Sequence, residues 1–186
     1  AAVLAGGGDR IHKISIVPRG MAALGYTITL PTEERYLMTR TEIQAKLVGI
    51  LGGRAAEQVA FGEPSTGAQN DLQKATEVAR AVVTEYGLSD AVGPVSLSSS
   101  GRSPFLSGGG PAGMPREVGS SMADTIDAEI RRIVEASLAR AIELLEANKD
   151  SLESISERLL AAEQLEGEEL EGLLKGALDA HLARSV

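Results

Sequence analysis

The sequence has no cysteine, no tryptophan and only two histidines, and its aromatic content is 3%. Without cysteine there are no disulfides, thiolate metal sites or cysteine nucleophiles, which fits a reducing compartment without requiring one. With so few rings, a core must come from the Leu, Ile, Val and Ala within the 43% hydrophobic content, a composition that favours closely packed helices. No run approaches the roughly 18 apolar residues of a membrane-spanning helix. No basic cluster interleaved with aromatics occurs and the formal net charge is −8, so nucleic acid is not an expected partner. A phosphate-binding G-x-x-x-x-G-K-S/T loop is also missing, which places any ATP chemistry outside these residues. The opening Ala1-Ala2-Val3-Leu4 carries neither Met nor a charged leader and reads as an internal edge instead of a signal peptide. The length, 186 residues, suits one domain or a domain with a trailing helical subdomain.

Two strand-like runs come first. Gly6-Gly7-Gly8-Asp9 is a turn signal, and in the run Ile11 to Val17 that follows, His12, Ile14 and Ile16 share a face by alternation. Leu24, Tyr26, Ile28 and Leu30 alternate with Gly25, Thr27 and Thr29, and Pro18-Arg19-Gly20 is turn material between the runs, so a hairpin or small sheet is expected. The period then becomes helical. Thr39 and Glu42 have capping-box spacing ahead of a stripe from Ile43 to Val59, interrupted by Gly52-Gly53, which close helix packing explains. A second helix is expected from about Ala68 to Tyr86, capped by Ser65 or Thr66 and ended by Gly87.

Residues 96–120 turn to Ser, Gly and Pro and read as a mobile loop. Beyond it, Met122, Ile126, Ile130, Ile133, Ser137, Ala141 and Leu144 mark one face of a long helix, with Ser121 and Asp124 at capping spacing. Asn148-Lys149-Asp150 breaks it, Leu152 to Leu160 begin another helix, and Leu170 to Leu178 a last short one. The fold class expected is α+β and predominantly α-helical: a small N-terminal hairpin followed by a helical bundle with a long helical hairpin. Its parts are a core over 1–95, the loop 96–120 and a helical subdomain over 121–186.

Asp71 is the most informative position. Leu72, Ala75, Val78, Ala79, Val82 and Tyr86 form one apolar arc at about 100° per residue, and Asp71 falls inside that arc, away from Gln73, Glu77 and Arg80. A carboxylate facing a core is costly unless it is paired, capping or metal-bound. An acid in the first turn also stabilises a helix N-terminus, so periodicity alone leaves both readings open.

The local words add to this. Ser65-Thr66-Gly67-Ala68-Gln69-Asn70-Asp71-Leu72 with Ala75-Thr76 is similar to a signature segment of the FtsH-type ATP-dependent zinc proteases. So are Ile14-Ser15-Ile16-Val17-Pro18-Arg19-Gly20, Leu24-Gly25-Tyr26, Leu51-Gly52-Gly53-Arg54-Ala55-Ala56-Glu57, and Tyr86-Gly87-Leu88-Ser89 with Gly93-Pro94. They stand in the family's order and spacing through about residue 95. The family's later helical hairpin resembles Asp124 to Ile133 and the stretch ending Leu165-Glu166-Gly167-Glu168-Glu169-Leu170.

The resemblance implies the peptidase part of a membrane-anchored, ATP-dependent zinc protease that works as a homo- or hetero-hexamer on unfolded and membrane polypeptides. Its peptidase domain would lie on the cytoplasmic, stromal or matrix-type side, with ATP and Mg2+ on a separate domain. In the family, Zn2+ is held by two histidines of an H-E-x-x-H helix and by an Asp at the position of Asp71, and the Glu serves as general base. This sequence departs from the family at that helix. H-E-x-x-H is absent, so two ligands and the catalytic base are missing and no catalytic residue is expected here. A chain starting just after the motif is the expected account, with an inactive relative as the alternative.

His12 and His181 lack ligand partners at helical spacing and read as structural or solvated. No serine has a credible His and Asp to activate it. Glu57 is a candidate for the surroundings of the metal, with a surface ion pair as its alternative. By analogy with the family, the strand Leu24–Leu30 would receive substrate as an added strand, with Gly25, Tyr26 and Thr27 as candidate contacts and ordinary packing as the competing account. A rival function from another class is a noncatalytic helical module that uses the 121–178 helices for ring contacts.

Overall fold

The computed structural model describes residues 1–6, 10–18, 25–30, 37–97 and 119–184. The expected turns at Gly7–Asp9 and after Pro18, Leu24 at the start of the second run, and the loop 98–118 lie outside the described residues. In chain order the elements are β1 (Arg10–Ser15), β2 (Tyr26–Leu30), α1 (Arg40–Ile50), α2 (Gly52–Phe61), a single 3-10 turn (Thr66–Ala68), α3 (Gln69–Thr84), α4 (Ser120–Glu146), α5 (Lys149–Ala162), β3 (Gln164–Glu166) and α6 (Gly167–Arg184). The chain is thus α+β and predominantly helical, as its composition and patterning imply.

The sheet is antiparallel in the order β2-β1-β3. Its third strand was not anticipated. β3 is three residues long and pairs Leu165 with Ile14 and Gln164 with Ser15. Glu163 makes the junction possible by adopting φ 61, so that its N–H caps α5 at the Leu159 carbonyl (2.8 Å) and its own carbonyl accepts from Ile16 N (3.0 Å). A bulge between Ile11 and Lys13 corrects the expected face of His12, Ile14 and Ile16. One extra residue slips the alternation, which leaves His12 exposed while Ser15 becomes the buried member of β1 at 2% exposure.

Contacts divide the chain into two compact units, Ala1–Leu72 with Ser137–Val186, and Gln73–Ala136. In the first, the opening segment is a working part of the core. Ala1, Leu4 and Ala5 pack on the buried Val48, Ala55, Ala141, Leu144 and Leu145, with Ala56, Val59, Leu138 and Ile142 around them. The Gly52 interruption has its cause here: a Cβ there would lie 2.8 Å from Ala1 Cβ, and one at Gly49 3.0 Å from Ala2 Cβ. The close helix packing expected at Gly52-Gly53 is thus found at Gly52 alone, against the chain's first residues, while a Cβ on Gly53 would meet nothing within 4 Å. Thr39 and Glu42 form the full capping box on α1.

In the second unit, Ala79, Val83, Val92, Ile126 and Ile130 are the core. The helix carrying Ala79 ends at Thr84, two residues earlier than expected. Tyr86 therefore leaves the arc and is 57% exposed, while Val83 fills the core position. Gly87 at φ 61 turns the chain, and Ser89, buried, donates from its hydroxyl to Glu129 Oε1 (3.1 Å) while accepting from Val92 N (3.3 Å). Arg132 completes that contact with two hydrogen bonds to Glu129, at 2.7 and 2.8 Å.

Two helix ends differ from expectation. α4 begins at Ser120, with Met122 and Ala123 donating to the Gly119 carbonyl, so Ser121 lies inside the first turn and is no cap. Met122 is exposed although the rest of its stripe is not. The last helix, expected to be short, is the 18-residue α6, because Leu170 (0% exposed) anchors its start and His181 and Arg184 are held at its end.

Candidate metal centre

The approach to Asp71 begins on α2. Glu57 lies one turn from the end of that helix, and Gly62, at φ 81, reverses the chain after it. Both carboxylate oxygens of Glu57 then accept from Ser65, Oε2 from the backbone N–H and Oε1 from the hydroxyl, each at 2.7 Å. The Ser65 hydroxyl oxygen in turn accepts from Gly67 N at 3.1 Å, which caps the 3-10 turn, and Gln69 N bonds back to the Thr66 carbonyl. α3 starts there.

The two bonds from Ser65, backbone first and hydroxyl second, hold the Glu57 carboxyl below its usual range against a small desolvation cost, and Arg54 adds a weaker pull. This differs from the surface ion pair offered as the alternative for Glu57: its direct partners are the two donors of Ser65. The connection was missed in the sequence because Gly62 reverses the chain between the partners, and no helical or strand period relates them.

Asp71 sits in the first turn of α3, half-buried, in the compact unit that also holds Ala1–Leu4, α1 and α2. Behind it the helix buries Ala75 and Ala79 completely. The position combines both features read from the pattern: a carboxylate at a helix N-terminus, where the backbone N–H groups favour negative charge, and one at the edge of the apolar face.

Tyr26 and Thr27 open β2, which is an edge strand of the sheet, and Gly25 directly precedes it. Tyr26 pairs with Ser15 and Thr27 with Ile14. A Cβ at Gly25 would stand 2.6 Å from the Ser15 carbonyl and 3.3 Å from Ile16 Cα. The bare backbone of Gly25 thus serves the approach of β1. From Thr27 to Leu30 the strand is exposed. His12 is exposed on the bulge, and His181 places Nδ1 3.1 Å from Asn148 Nδ2, so neither is brought to Asp71 as part of a ligand set.

Zinc sites built by proteins take three or four N, S or O donors from side chains. Among the described residues no group of three or more His, Cys, Asp or Glu is placed to hold a metal ion. One half-buried carboxylate does not make a zinc site, and these residues by themselves do not fit the metal.

The ancestry of the chain is nevertheless clear. A family model described as Peptidase family M41 matches residues 1–173. The chain belongs to peptidase family M41. It is 48% identical over 174 residues to the ATP-dependent zinc metalloprotease FtsH 4 of Synechocystis sp., covering 93% of this chain and 27% of that protein. To the ATP-dependent zinc metalloprotease FtsH of Alkalihalophilus pseudofirmus it is 46% identical over 178 residues, covering 94% of this chain and 26% of the relative. To FtsH of Bacillus subtilis it is 44% identical over 167 residues, covering 89% and 26%. The chain spans about a quarter of the length of the curated relatives it matches. No described helix of this M41 chain is long and apolar enough to cross a membrane.

Proposed function

We propose that this M41 chain is part of the peptidase domain of an ATP-dependent zinc endopeptidase, and that Asp71 supplies one ligand to a zinc ion whose other protein ligands lie outside the chain. The observation that carries the reading is the half-buried Asp71 at the start of α3, in one compact unit with the opening segment Ala1–Leu4. The names of the relatives, ATP-dependent zinc metalloproteases, support it.

Under this reading the substrates are unfolded and membrane polypeptides, ATP and Mg2+ act on a separate domain, and the protein works as a hexamer anchored to a membrane by other segments. The peptidase part then faces the cytoplasm or an equivalent compartment. The chain supplies a peptidase core over 1–95 and a helical subdomain over 121–186, joined by the 96–120 loop. The exposed edge of β2, with Tyr26 and Thr27, is the surface on which an extended substrate would pair, because it presents backbone and tolerates varied side chains.

A second reading, a helical module that joins copies into a ring, is favoured by Leu160 and Leu182, which stand 70% and 55% exposed on α5 and α6. The test uses a full-length protease that carries this chain behind an H-E-x-x-H helix, with and without Asp71→Ala. Zinc-dependent proteolysis that is lost with Asp71→Ala, together with weakened zinc binding in competition titration, is the expected result. Zinc affinity unchanged by Asp71→Ala would remove the ligand assignment, and a ring without proteolysis would favour the module.

A further inference from the structure

The break between α4 and α5 holds a set of side chains that the zinc reading leaves unused. Asn148 is 1% exposed there, and its backbone is tied on both sides. Its N–H donates to the Leu145 carbonyl and its carbonyl accepts from Leu152 N, each at 3.1 Å. The amide is fixed as well. A guanidinium has no acceptor and a carbonyl has no donor. Oδ1 must therefore face Arg184 Nη2 (2.8 Å), and Nδ2 must face the Leu144 carbonyl (2.7 Å). The second Nδ2 hydrogen then points to His181 Nδ1 at 3.1 Å. Accepting from an amide N–H requires a lone pair on that ring nitrogen, so the half-buried His181 is neutral here, with its proton on Nε2.

We propose that His181 is a pH-sensitive latch on the last turn of α6: the neutral ring accepts from Asn148 and holds that turn on the helix break, and a proton taken from water at Nδ1 releases it. Protonation replaces the lone pair with an N–H, so two donors then meet across the contact. Turning the Asn148 amide over to present Oδ1 would break its bonds to Leu144 and Arg184 together. The turn so held carries Leu182, which is 55% exposed.

The charged groups of the elements that meet here act on the imidazolium in the same direction. Arg184, on the same helix, is already at Asn148 and repels a second cation, while Lys175 and Asp179 are exposed. At the start of α5, Lys149 reaches Glu153 (3.8 Å), and Asp150 lines a groove with Gly176 and Ala177, the turn before His181. Asp150 thus offers the cationic ring an opposite charge away from Asn148. On α4, Glu143 pairs with Arg140 (2.8 Å) and Glu146 is exposed. The ion pair of α6 with β1, Arg10–Glu171, lies at the other end of the helix, about 15 Å away.

Hydrogen exchange of this chain, followed by NMR at about pH 7.5 and about pH 5.5, spans the range in which imidazole changes charge. Protection factors are compared, so that the intrinsic pH dependence of exchange cancels. Protection of the Ala183 and Arg184 amides is expected to fall by about 2–10-fold at the lower pH, the worth of one hydrogen bond. At the higher pH the ring nitrogen shifts should show Nε2 protonated and Nδ1 bare. His181→Asn puts an acceptor that does not titrate near the place of Nδ1, so its protection should stay level between the two conditions. A proton on Nδ1 at the higher pH overturns the latch. Wild-type protection that holds at the lower pH overturns it too, as does an equal fall in His181→Asn, which would assign the change to another group.

Discussion

Arg184 Nη2 donates to Asn148 Oδ1 at 2.8 Å, which ties the last turn of α6 to the break between α4 and α5. Asn148 is 1% exposed, and its Nδ2 also donates to the Leu144 carbonyl at 2.7 Å and lies 3.1 Å from His181 Nδ1. An amide has two donors and an acceptor, and here one side chain at a helix break makes three contacts, one to α4 and two to α6.

Asn148→Ala is therefore expected to lower the unfolding free energy by about 1–3 kcal/mol, the range for stranding buried polar partners. Urea denaturation measures it. A midpoint equal to the wild type's would mean that the three contacts contribute nothing net.

Glu163→Gly should act in the other direction. A non-glycine residue in the left-handed region costs about 1–2 kcal/mol, and glycine returns about 0.5–1 kcal/mol of that as unfolded-state entropy. The side chain of Glu163 at φ 61 makes the turn into β3 at such a cost. A net gain of about 0.5–1 kcal/mol is the expected shift in thermal or urea unfolding.

Gly87→Ala combines two penalties. The residue holds φ 61, and an added Cβ would lie 3.1 Å from Pro94 Cα, a backbone atom with little room to yield. A loss of about 1–2 kcal/mol from the dihedral alone is expected, with the clash adding to it. The hydrogen bond from Ser89 to Glu129 lies just beyond this turn and reports on the damage: amide exchange at Val92 should rise.

These sites also mark what could be read from residues alone. The Thr39–Glu42 capping box and the Gly87 turn were legible because their chemistry is local, within three residues or one dihedral. The stripe from Ile126 to Leu144 was legible because burial repeats with the helix. β3 was not: three residues carry no period, and their pairing with Ile14 and Ser15 depends on distant chain. The bulge at His12 and the positive φ of Glu163 were hidden for the same reason, since the sheet imposes them and no side chain announces them. At the candidate site, Asp71 stood out as an acid inside an apolar arc, and Ser65 was read as a cap. The bond from Ser65 to Glu57 crosses a chain reversal and became visible only with the fold.

Acid should weaken the second unit through Glu129. Its carboxyl is held below the ordinary value of 4.5, first by the hydrogen bond from Arg132 and then by that from Ser89, with burial opposing. A lowered folded-state pKa gives stability that is fully present above the unfolded value and lost as pH falls through the folded one. Between about pH 6 and about pH 3 the urea midpoint should thus fall further in the wild type than in Glu129→Gln. Equal falls would remove Glu129 from the account.

Zinc added to this chain alone should bind weakly, and Asp71→Ala should leave that binding unchanged, because no cluster of three or more ligating side chains is placed for it among the described residues. Competition titration is the check, and tight, Asp71-dependent binding by these residues alone would contradict the expectation.

The sheet sets a timetable for synthesis. In chain order β1 and β2 come long before Gln164–Glu166, the partner on the other side of β1. At about 5–20 residues per second the ribosome needs on the order of ten seconds or more to deliver it. Until then the inner strand keeps one row of backbone donors and acceptors open to any nascent neighbour. A stop codon placed before Gln164 would leave that row open for good, and such a product should be recovered as aggregate.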